Sequence, residues 1–70
     1  MSEPTYKAVE IIGTSKDSIE NAIKNAIDRV SQTVREISWF EVLQIRGNIE
    51  KDSIKHYQVT IKIGFLVKDS

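Results

Sequence analysis

The chain has 70 residues, enough for one domain, with ten Lys and Arg balancing ten Asp and Glu and a single histidine, His56. Having no cysteine, it excludes disulfide frameworks, thiolate zinc sites and thiol nucleophiles. Zero net charge lacks the basic excess of a nucleic-acid binder, and no apolar run approaches the roughly 20 residues of a membrane span. No signal-peptide pattern opens the chain, so the cytoplasm is the expected compartment. A domain this short hides only about 60% of its unfolded surface. With disulfides unavailable, self-association is the stabiliser that remains.

Residues 6–12 read as a short strand with Val9 and Ile11 on one face and Ala8, Glu10 and Ile12 on the other. Gly13-Thr14-Ser15 then reads as a break, with Thr14 or Ser15 placed to cap a helix. Over residues 16–34, Ile19, Ala22, Ile23, Ala26, Ile27, Val30 and Val34 recur at helical spacing and form one apolar stripe. Glu20, Asn21, Lys24, Asn25, Asp28 and Gln32 occupy the opposite side.

Beyond Ile37 the period falls to two. Residues 39–50 form the second predicted strand, and its apolar parity slips between Phe40/Val42 and Leu43/Ile45, a sign of a bulge or of burial on both faces. Lys51-Asp52-Ser53 is a polar turn. Residues 56–67 are the cleanest strand, with Tyr57, Val59, Ile61, Ile63, Phe65 and Val67 on one face and His56, Gln58, Thr60 and Lys62 on the other. The last two strands should pair as an antiparallel hairpin. The order is β-α-β-β, an α+β domain in which one helix covers one sheet face. Nothing is left to cover the second face, where function is sought.

Catalytic constellations are weak. A Ser–His–acid arrangement would have to use His56 inside a regular strand, and Glu10, Glu41 and Glu50 read as cross-strand ion-pair partners. No phosphate loop is present, because Gly13, Gly47 and Gly64 are isolated. Trp39, the only tryptophan, opens a strand beside the uncovered face. It serves either as packing or as a flat stacking surface for a planar ligand. Gln58 offers donors and an acceptor suited to a heterocycle edge, or is a solvated strand residue. Arg46 can fork onto a phosphate or serve as an ion-pair partner.

The pattern resembles the dodecins, small flavin-binding proteins with β-α-β-β subunits. The resemblance spans residues 6–67 and rests on Tyr6-Lys7-Ala8-Val9-Glu10, Gly13-Thr14-Ser15, Trp39-Phe40-Glu41-Val42, Ile45-Arg46-Gly47, Tyr57-Gln58-Val59 and Gly64-Phe65. It implies a three-stranded antiparallel sheet packed on one amphipathic helix, in a subunit that assembles through trimers into a hollow homododecamer. It further implies flavin, FMN or riboflavin, stacked on Trp39 at subunit interfaces, with Gln58 at the isoalloxazine edge and Arg46 near the FMN phosphate. Storage and photochemical quenching of flavin, without enzymatic turnover, is the implied role. Some bacterial members bind coenzyme A, for which Tyr6 and Lys7 are the corresponding contacts. Leu66 and Pro4 stand where relatives often carry basic residues, which weakens the coenzyme A expectation. A flavin-dependent redox enzyme is the alternative on the same cage. A single-stranded nucleic-acid module stacking bases on Trp39, Phe40 and Tyr57 would need a cationic groove that zero net charge does not supply.

Overall fold

A computed structural model of the chain describes residues 3–68. Strand β1 (Thr5–Ser15) leads into helix α1 (Ile19–Val30), followed by β2 (Ile37–Glu50) and β3 (Ser53–Val67). The three strands form one sheet in the order β1-β3-β2, both pairings antiparallel. The last strand in sequence is therefore central, and its alternating Val59, Ile61 and Ile63 are fully buried. Ala22 and Ala26 of α1 close on them, while Val9, Ile11, Ile19, Ile23, Ile27, Val30 and Ile37 pack around the margin.

The α+β order and the antiparallel hairpin match the sequence expectation, but the boundaries of every element move. β1 does not break at Gly13-Thr14-Ser15; it continues in register to the Ser15–Tyr57 pair. Gly13 is there for close approach: a Cβ at this position would overlap the Ala22 carbonyl oxygen and come within 2.8 Å of Ala26 Cβ. The helix cap is Ser18, whose Oγ accepts from Asn21 N at 2.9 Å, and not Thr14 or Ser15. Ser15 Oγ instead accepts from Asp17 N at 2.9 Å and donates to Asn21 Oδ1 at the same distance, bracing the strand-to-helix corner.

The helix is also shorter than the predicted 16–34. Past Val30 the bonds tighten, with Gln32 N donating to Arg29 O at 3.3 Å and Thr33 N to Val30 O at 3.0 Å, before Val34 N closes on the Val30 carbonyl at 2.9 Å. Val34 thus keeps its half-buried position just beyond the turn at residues 31–33, outside the helix. β2 and β3 begin earlier than expected, at Ile37 and Ser53, so only Lys51 and Asp52 form the hairpin loop. Both have positive φ, 52° and 63°, the requirement of a two-residue turn that follows the sheet's twist.

α1 lies over β1 and β3 and to one side of β2. As a result, every residue from 38 to 50 is exposed. No helix among the described residues is long and apolar enough to cross a membrane.

Candidate functional site

The register sorts the side chains between the two sheet faces, because directly paired residues share a face. On the face away from α1, β3 presents His56, Gln58, Thr60, Lys62, Gly64 and Leu66. β1 adds Tyr6, Ala8, Glu10, Ile12 and Thr14 opposite them, and β2 adds Trp39, Glu41, Gln44, Arg46 and Asn48.

Trp39 and Arg46 are seven residues apart, an odd spacing that would send them to opposite faces of a regular strand. They share a face because the register skips Leu43: Val42 pairs with Ile61, and Gln44 with Thr60. This bulge is the parity slip seen in the sequence. A second irregularity at Ser38 separates Ile37, on the helix side, from Trp39.

The indole of Trp39 lies across β3. A Cβ on its register partner Gly64 would overlap the indole's Cε2, Cζ2 and Cδ2 atoms, so only glycine leaves room for the ring. On the far side of β3, Tyr6 meets the indole edge-on, with ring centroids 6.4 Å apart and planes at 63°. The indole remains 40% exposed, an aromatic surface held against the sheet and open to a ligand.

Arg46 and Gln58 are direct register partners and form one polar pair, with Gln58 half-buried and Arg46 exposed. Asn48 and His56 are the next pair outward. From Gly64 to Gln58 is six residues, about 20 Å along a strand. The aromatic shelf and the polar pair are thus two separated patches of one face, and a single subunit does not bring them together.

Lys7 is adjacent to Tyr6 in an extended strand and projects to the opposite face, where it shares a groove with Arg35, Phe65, Val67 and Lys68. Tyr6 and Lys7, the pair linked to coenzyme A by resemblance, therefore serve different surfaces. Glu10 and Glu41 flank Lys62 across the central strand, and Glu50 reaches Lys55 at 3.6 Å. Of the three strand carboxylates only Glu50 comes within ion-pairing distance of a cation among the described residues, whereas Glu10 and Glu41 hold register positions beside Lys62 without closing on it. Among the described residues, no three His, Asp or Glu side chains cluster to hold a metal ion.

Sequence reasoning missed the contact between Tyr6 and Trp39. Its available signal was Gly64, an isolated glycine inside an otherwise regular strand, which marks a close approach to the backbone.

The fold and this face define a small open-sheet subunit that presents an aromatic platform and a polar pair on its uncovered side. The Dodecin family model matches residues 5–68. The dodecin of Thermus thermophilus is 43% identical over 65 residues, covering 93% of this chain and 94% of that protein. The solved dodecin of Streptomyces coelicolor superposes with a TM-score of 0.93 at 47% identity, covering 100% of both chains. That of Streptomyces davaonensis gives 0.92 at 43%, covering 97% of this chain and 100% of its own. A more distant match is a calcium dodecin from Mycobacterium tuberculosis, described as a calcium-chelating immunodominant antigen with a novel calcium-binding site. It shares 27% identity at a TM-score of 0.80, covering 94% of each chain. The chain belongs to the dodecin family.

Proposed function

We propose that this protein binds flavin, FMN or riboflavin, and holds it stacked on Trp39 at interfaces between subunits of a dodecamer. It buffers free flavin and quenches its photochemistry, and it carries out no turnover. The observation that carries this reading is the Trp39 indole, seated on Gly64 with its surface open on the uncovered sheet face. An isoalloxazine ring is planar and electron-poor, so an electron-rich indole is a suitable stacking partner. An indole in van der Waals contact can also reduce the excited flavin rapidly, which favours quenching over catalysis.

The spacing within one subunit supports an intersubunit site. A separation of about 20 Å along the strand is longer than the tricyclic ring of any flavin. A ring stacked on one subunit's Trp39 therefore needs its edge hydrogen bonds from a Gln58 of a neighbouring copy. Arg46, side by side with Gln58, supplies a forked cation for the phosphate of FMN.

The test is a fluorescence titration of FMN with purified protein, read together with the elution mass. Quenching that saturates near one flavin per subunit on a dodecameric particle is the expected result. Trp39→Ala should abolish most binding while the particle persists. Unchanged flavin emission on mixing with the parent protein, or undiminished binding by the variant, would overturn the assignment.

A further inference from the structure

We infer that Tyr6 is a positioning residue for the stacking platform, an edge stop that holds the Trp39 indole flat across β3. Strands β1 and β2 flank β3 and are therefore separated by two strand spacings, about 9.5 Å. The rings of Tyr6 and Trp39 nonetheless have centroids only 6.4 Å apart. Both side chains lean inward over the central strand, and they meet there because position 64 is glycine.

The row across the sheet is Ala8, Gly64 and Trp39, with the indole folded over Gly64 and the small Ala8 next in the row. Such a floor fixes the height of the ring but not its swing in the plane of the sheet. Tyr6 supplies that lateral limit from the next row, where it pairs with Leu66. The 63° interplanar angle sets the edge of one ring against the face of the other, a favoured aromatic geometry that leaves Trp39 accessible at 40% exposure. A platform ordered before its ligand arrives loses less freedom on binding.

The inference deepens the flavin reading and rests on it for the ligand, but its first readout does not. Trp39 is the only tryptophan, so intrinsic emission excited at the red edge reports this one ring in the ligand-free assembly. Tyr6→Leu should lower its fluorescence anisotropy and shift its emission to the red, while Tyr6→Phe, which keeps the ring, should match the parent. In FMN titrations Tyr6→Leu should weaken binding roughly three- to tenfold, the range expected for losing one aromatic edge contact, and Tyr6→Phe by less than about twofold. Gly64→Ala should mobilise the indole with Tyr6 intact, by filling the space beneath it.

Unchanged anisotropy in Tyr6→Leu would overturn the inference, as would an equal loss in Tyr6→Phe, which would assign the effect to the hydroxyl. If the parent binds no FMN while Tyr6→Leu still frees the indole, the flavin reading fails and the positioning role stands.

Discussion

Arg46 and Gln58 differ in what they can distinguish. The Gln58 carboxamide donates and accepts, so it is able to match a heterocycle edge whether or not the ligand carries a phosphate. The Arg46 guanidinium only donates, and its charge is complementary to a phosphate. Arg46→Ala should therefore weaken FMN by roughly ten- to a hundredfold, the range of a lost charge-assisted hydrogen bond, while changing riboflavin by less than about twofold. Parallel titrations of the two flavins measure the difference, and equal losses would remove Arg46 from the phosphate. Reading this from the sequence is only half possible. The residue types are visible, but the shared face of Trp39 and Arg46 depends on the Leu43 bulge, which reverses the parity of everything after it. The Tyr6–Trp39 contact joins the start of β1 to the start of β2 across the intervening strand, and no local pattern encodes it.

At the level of elements, regular segments were legible wherever one face is buried. The stripe of α1 and the alternation of β3 show this, because burial imposes the period. Their ends were less legible, since Gly13 has the same appearance as a turn glycine and as a contact glycine. Only the packing of Ala22 and Ala26 above it separates the two. The hairpin loop shows a local cost that tertiary structure sustains. Lys51 and Asp52 both occupy the left-handed region, which costs a non-glycine residue about 1–2 kcal/mol. Asp52→Gly relieves the second position and should raise stability by about 1 kcal/mol, less the entropy that glycine adds to the unfolded chain. Denaturant titration at fixed protein concentration checks this, and a loss of stability would show that the Asp52 side chain makes a contact worth more than the strain.

The whole subunit is too open to be a finished globule. Its radius of gyration is 14.7 Å, against about 11 Å for a compact chain of this length. It extends 57 Å by 20 Å by 13 Å and exposes 5505 Å², roughly 1,000 Å² more than the usual surface for its mass. That excess is comparable with the roughly 800 Å² per partner of a stable protein interface. Much of it is apolar and lies on β2, where Phe40, Val42, Leu43 and Ile45 are 38–53% exposed. Phe40 borders a groove with Ile19, Ile23 and Ile27 of α1, on the side of the sheet opposite Trp39. A charge placed there tests assembly without touching the stacking surface. Phe40→Asp should shift the elution mass to a smaller species, because burying an unpaired carboxylate against a neighbour costs several kcal/mol. FMN binding should fall with it even though Trp39, Gln58 and Arg46 all remain, since one subunit holds its aromatic shelf and its polar pair too far apart to serve one ring. Retained FMN affinity in a dissociated variant would mean that a lone subunit completes the site, and would refute the intersubunit geometry on which the flavin reading depends.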